Sequence, residues 1–148
     1  MKETYFESVV MIERLHRLFL EVIKVELDRL DVRDITNVQA LVLYNIGGSQ
    51  LTVGELTNRG YYLGSNVSYN LRKMVQNGYV QQVQSEHDRR SSHVKLSTKG
   101  LNLFKKLDEL MVQHAELLEK NNITSTDELA NTLRKLDGFW NNLISSRM

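Results

Sequence analysis

The sequence predicts a mainly α-helical protein that carries one small β-hairpin, and three observations predict it. Apolar residues recur at three- and four-residue spacing through most of the 148-residue chain. Proline is absent, which suits long uninterrupted helices. Only the stretch from Tyr79 to Leu96 departs from that spacing, with two short strand-like runs around a polar loop.

The first helix runs from Thr4 to about Leu30. Met11, Leu15, Leu18, Val22 and Val25 form one apolar stripe, and Ile12, Phe19, Ile23, Leu27 and Leu30 form a second beside it. A helix so widely apolar needs cover on more than one side. Thr36 or Asn37 then caps a short helix over "VQALVLYNIG", which Gly47 and Gly48 end. In "LTVGELTNRG" Thr52 caps, Val53 and Leu56 face inward, and Gly60 stops the helix. "YYLG" makes a turn, and Ser65 or Asn66 caps the helix that ends at Gly78.

That last helix turns Val67, Leu71, Met74 and Val75 to one face, and Ser65, Tyr69, Arg72, Lys73 and Gln76 to the other. Two short helices joined by a tight turn, the second with a polar and basic open face, form a helix-turn-helix pattern. "YVQQV" and "HVKL" follow as strands around "QSEHDRRSS". Ser97 or Thr98 opens the next helix, with Leu103, Leu107, Leu110, His114 and Leu117 in one stripe. "NNITSTDE" breaks it. Ser125 and Glu128 offer a capping box for the final helix, where Leu129, Leu133, Leu136, Trp140 and Leu143 keep heptad spacing.

Composition narrows the function. The chain has no cysteine, which excludes disulfides, thiolate zinc sites and thiol redox sensing and fits a reducing cytoplasm. No run approaches the roughly 20 apolar residues of a membrane span, and the acidic, amphipathic start is unlike a signal peptide. The four histidines are scattered, with no i, i+4 pair and third ligand, so no metal site is expected. No phosphate loop, nucleophile elbow or paired-carboxylate motif points to an enzyme. Charge is unevenly placed. Residues 51–100 carry seven Lys/Arg against three acids, and the rest of the chain carries twelve against fifteen. A basic centre between acidic flanks suits a polyanionic partner.

The helix-turn-helix followed by "DRRSSHVKLSTKG" resembles the winged-helix regulators of the MarR (multiple antibiotic resistance regulator) family. Their wing pattern of Asp-x-Arg, an apolar-x-Leu pair and Thr-x-Lys-Gly is matched at Asp88, Arg90, Val94, Leu96, Lys99 and Gly100. Ser97 stands where the family has threonine, with Thr98 beside it. The resemblance spans essentially the whole chain, although "TNRGYYLGSNVSYNL" is a longer and more aromatic approach to the reading helix than the family usually has. It implies a winged helix-turn-helix with N- and C-terminal dimerisation helices. Residues 1–35 and 101–148 would form the dimerisation region, and residues 36–100 the DNA-binding region. It also implies a bacterial, cytoplasmic homodimer on a palindromic operator, with repression the usual sign and release by a small, frequently phenolic ligand. "YYLG" and the first helix would border such a ligand.

Site residues follow from both readings. Met11, Leu15, Leu18, Leu129, Leu133, Leu136, Trp140 and Leu143 are the dimerisation seam. On the reading helix Asn66 and Asn70 bond bases or phosphates, and Arg72 reaches guanine or phosphate. Ser65 and Ser68 suit phosphate at the helix start. Tyr69 touches a thymine methyl, or packs on Tyr61 or Tyr62. Lys73 and Lys95 add sequence-independent attraction. Arg89 and Arg90 sit at the hairpin tip, placed to enter a minor groove, and the resemblance has Asp88 orient Arg90. The competing reading is a winged-helix module for protein–protein interaction without DNA.

Overall fold

The computed structural model describes residues 1–59, 64–84 and 92–146, with residues 64–66 traced as helix backbone. Its elements in chain order are α1 (Lys2–Arg29), α2 (Asn37–Ile46), β1 (Leu51–Thr52), α3 (Val53–Asn58) and α4 (Gly64–Gln76), then β2 (Val80–Gln84), β3 (Ser92–Leu96), α5 (Thr98–Lys120) and α6 (Thr126–Ser146). Packing groups the chain into two compact units, Met1–Asp108 and Glu109–Met148.

Local signals set most boundaries. Thr36 accepts from the Gln39 amide (3.1 Å) while the Gln39 side chain accepts from the Thr36 amide (3.1 Å), a full capping box. Thr52 caps α3 through the Glu55 amide at 3.0 Å. The Gly100 amide donates to the Ser97 hydroxyl at 3.1 Å, so Ser97 is the cap of α5. Three helices end the same way, on a residue in the left-handed region: Asp31 (φ 56), Gly78 (φ 82) and Asn122 (φ 61). In each case the next amide reaches back to a carbonyl five residues earlier, Val32 to Leu27, Tyr79 to Met74 and Ile123 to Leu118, all at 2.9 Å.

Two expectations are corrected. The hairpin is not alone: β1 pairs antiparallel with β3 (Leu51↔Val94, Thr52↔His93), giving a three-stranded sheet in the order β1-β3-β2. Two residues are too few to display alternation, and Thr52 reads as a cap because it also is one. The reading helix begins at Gly64, so Ser65 and Asn66 lie in its first turn and not at its cap.

In the first unit the inward side of the sheet, with Leu51, Val80, Val94 and Leu96, is buried. So are α2 residues Ala40, Val42, Leu43 and Ile46 and α5 residues Leu103 and Leu107. Tyr44 stacks on Phe104 with centroids 5.1 Å apart, and its hydroxyl donates to Asp108 at 2.8 Å. The two stripes of α1 fare differently. Ile23 and Leu27 are buried, whereas Met11, Leu15, Leu18, Val22 and Val25 stand 40–66% exposed. In the second unit α6 has no buried residue. Leu129, Leu133 and Leu143 are exposed, and Leu136 and Trp140 are half-buried.

One cluster ties three distant segments of the first unit. The Tyr79 phenol donates to Asp34, and Lys99 Nζ donates to Asp34 Oδ2 (2.6 Å) and to the Asn77 carbonyl (2.8 Å). Asn77 Nδ2 donates to the Asp34 carbonyl at 2.9 Å. Lys99 Nζ also lies 4.3 Å from the Tyr79 ring centre, a cation–π contact. Partial burial pushes the Asp34 carboxyl up, but the bonds from Lys99 and Tyr79 and the lysine's charge outweigh it and hold it below the usual range. Burial first, then the bond to Asp34 and its charge, push the Tyr79 phenol well above its ordinary value. Against this cluster a side chain at position 100 would collide with the Tyr79 carbonyl oxygen and meet Leu96 Cβ at 3.2 Å.

Gly100→Ala is therefore expected to cost about 1–3 kcal/mol, read by chemical denaturation. Tyr79 also predicts an alkaline effect. An unfolded phenol ionises near pH ~10 while folded Tyr79 keeps its proton, so stability falls as pH rises through that range. Tyr79→Phe should flatten the decline between about pH 9 and 11 in denaturant melts.

Candidate nucleic-acid interface

α4 is amphipathic by its own spacing. Val67, Leu71 and Met74 are almost wholly buried, and these anchors leave the opposite arc open. On that arc Ser68, Tyr69, Arg72, Lys73 and Gln76 are all exposed, Tyr69 by 55%. The helix carries no carboxylate, so its open arc offers donors, two cations and one aromatic ring to an anionic partner.

Asn70 is placed differently from its neighbours. It is half-buried, and its Oδ1 accepts from Gln39 Nε2 at 3.3 Å. The same Gln39 closes the capping box of α2, so one buried amide fixes the start of α2 and the side of α4 together. The helical step sets Asn70 at the edge of the buried face, where only a neighbouring helix decides its direction.

On the sheet, β2 and β3 pair Gln81 with Lys95 and Val83 with His93. Val94 and Leu96 point inward, which leaves Lys95 exposed on the outward side opposite Gln81. The hairpin tip with Asp88, Arg89 and Arg90 lies outside the described residues, as do Tyr61, Tyr62 and the side chains of Ser65 and Asn66. The structure thus gathers Ser68, Tyr69, Arg72 and Lys73 on one helix face and puts Lys95 on a separate element. Sequence reasoning missed the bond from Gln39 to Asn70, and it gave no role to Asp34. The hydroxyl of Thr36 and the amide of Gln39, spaced as a capping box, were the available signal for the first.

A model described as the MarR family matches residues 33–91, which take in α2 through β2. Over 144 residues the chain is 36% identical to the exopolysaccharide II synthesis transcriptional activator ExpG of Rhizobium meliloti (strain 1021), covering 94% of this chain and 73% of that protein. The chain belongs to the MarR family. Among solved structures, the reduced form of MarR from E. coli shares 25% identity at a TM-score of 0.66, covering 85% of this chain and 93% of that one. The S. aureus MepR–DNA complex matches in fold at a TM-score of 0.67 and 19% identity, over 86% of this chain and 96% of that one. The expected architecture, mainly helical with a small antiparallel sheet, is the MarR winged helix-turn-helix. This member of the MarR family is a regulator of transcription and not an enzyme.

The two faces of α4 should separate cleanly under mutation. Met74→Ala is expected to lower stability by about 2–5 kcal/mol. Arg72→Ala should stay within about 0.5 kcal/mol of the wild type, both variants being read by chemical denaturation.

Proposed function

We propose that this MarR-family chain binds double-stranded DNA as a homodimer, reading a palindromic operator with one α4 in each half-site. The observation that carries the reading is the open, carboxylate-free arc of α4, which presents Ser68, Tyr69, Arg72 and Lys73 on a helix anchored from behind. Such an arc fits a major groove, where Arg72 reaches a guanine or a phosphate and Tyr69 a thymine methyl. Ser65, Asn66, Ser68 and Lys73 add backbone contacts, and Lys95 supports from the sheet. Asn70, bonded to Gln39, steadies the helix in this reading. Arg89 and Arg90 enter the adjacent minor groove, with Asp88 orienting Arg90.

The second copy covers the exposed apolar stripe of α1, Met11, Leu15 and Leu18, and the open face of α6. Helices of that length with so little buried surface need another body to pack on. A two-fold pair then sets two reading helices one duplex turn apart. Residues 1–35 and 101–148 serve dimerisation, and residues 36–100 serve DNA. The protein works in the cytoplasm, where its operator is. A small effector acts by preferring one spacing of the two heads, and so changes operator affinity by its differential binding. Repression is the family's usual sign, but the 36% identical relative bears the name of an activator, which favours activation at one promoter or more.

Gel-shift titration on random duplex tests the first claim. Binding is expected to weaken by a hundredfold or more between about 50 and 200 mM salt. No binding at low salt would leave the protein–protein module. Arg89→Ala and Arg90→Ala should each weaken operator binding by about 1–3 kcal/mol where the arginine makes a contact. Sedimentation should give twice the 17.2 kDa chain mass for the wild type and both variants. A single chain at working concentration refutes the dimer.

A further inference from the structure

We propose that Lys99 is a positioning residue and not a phosphate contact: with Asp34 and Tyr79 it fixes the base of the hairpin against the C-terminal end of α4. The cluster thereby sets the angle at which the two DNA-contacting elements are presented. This rests on the DNA-binding reading above and goes beyond it. By charge alone Lys99 belongs to the basic centre, and with 48% of its side chain exposed it looks available to a polyanion. Its ammonium group is already committed. It donates to Asp34 at 2.6 Å and to the Asn77 carbonyl at 2.8 Å, and it lies over the Tyr79 ring. A phosphate would have to displace a carboxylate held in place by a second donor, the Tyr79 phenol.

The location of the cluster gives it leverage. Tyr79 immediately precedes β2, and Ser97 immediately follows β3, so these residues are the two feet of the hairpin. The feet are joined to each other and to the end of α4. The Ser97 amide donates to the Tyr79 carbonyl at 3.0 Å, and the Ser97 hydroxyl donates to the Gly78 carbonyl. Asn77, directly after α4, both accepts from Lys99 and donates to Asp34. Asp34 comes from the link between α1 and α2, outside both DNA-contacting elements. Its carboxylate therefore holds the feet from a fixed third point. Loosening it lets the hairpin swing relative to α4 while both keep their own charges.

The salt dependence of binding separates the two roles. A lysine on phosphate contributes about 0.9 to the slope of log K against log salt, and its loss weakens specific and random DNA alike. A positioning lysine contributes nothing to that slope, and its loss damages only binding that needs both elements in register. The wild type, Lys99→Met, Tyr79→Phe and, as a phosphate-contact control, Lys73→Ala are titrated against two duplexes across a salt series. One duplex is selected from a random pool by the wild type, and the other is random. Lys99→Met should bind the selected duplex about tenfold more weakly, the worth of one misplaced base contact, with random-duplex affinity and slope unchanged. Tyr79→Phe alters no charge and should shift the same way by a smaller factor. It carries the test if Lys99→Met fails to fold. A slope reduced by about 0.9 in Lys99→Met overturns the proposal. So does equal weakening on both duplexes, which marks a loss of folded protein, or an unchanged selected-site affinity in the folded variants. A wild type that binds neither duplex refutes the DNA-binding reading itself.

Discussion

The Asp34 carboxylate is the point on which the first unit turns. It accepts from a phenol just before β2 and from an ammonium group in the first turn of α5, and its own backbone carbonyl accepts from Asn77. A sheet with one two-residue strand and two five-residue strands has few ladder bonds, and its inward face, Leu51, Val80, Val94 and Leu96, is held by burial in the core. In the positioning role proposed above, the cluster sets the angle of the hairpin's base through a partly exposed ion pair. Such a pair contributes little to stability by itself, and here it matters for geometry. It also gives physical content to the end of the wing motif. Lys99 is present because Asp34 and Tyr79 receive it, and Gly100 because any side chain would strike the Tyr79 carbonyl.

Burial is distributed as a regulator of this kind requires. Val67, Leu71 and Met74 fix α4 rigidly, so a side chain on its open arc is aimed by the core and not by its own flexibility. The terminal helices are the reverse case. One stripe of α1 is buried at Ile23 and Leu27 and half-buried elsewhere, the other is left open, and α6 has no buried residue. A protein that keeps one part well packed and another unsatisfied concentrates its dependence on a second body where dimerisation is proposed. In the dimer proposed above, a change in how the two copies pack moves intact reading helices without unfolding them.

Much of this was legible in the amino-acid order. Thr36, Thr52 and Ser97 stand where helix caps belong, and each hydroxyl accepts the expected amide. The inward and outward faces of α4 follow from helical phase at Val67, Leu71 and Met74 against Tyr69, Arg72 and Lys73. The failures share a cause. β1 is too short to show a period and exists only because Val94 and His93 of β3 are there to pair with it. Asn70 sits on the border of two faces, and the nearby Gln39 settles its direction.

The sequence by itself determined the helices, the caps at Thr36, Thr52 and Ser97, the hairpin strands, the basic centre and the resemblance to a family, because each rests on periodicity or on groups a few residues apart. Only the tertiary structure decided which cations remain open. Lys73 and Lys95 are exposed, while Lys99, equal to them by composition, is joined to a carboxylate 65 residues away. Coulomb attraction and hydrogen bonding act over a few ångströms of space and take no account of separation along the chain. A charge is therefore committed or available only once folding has chosen its neighbours.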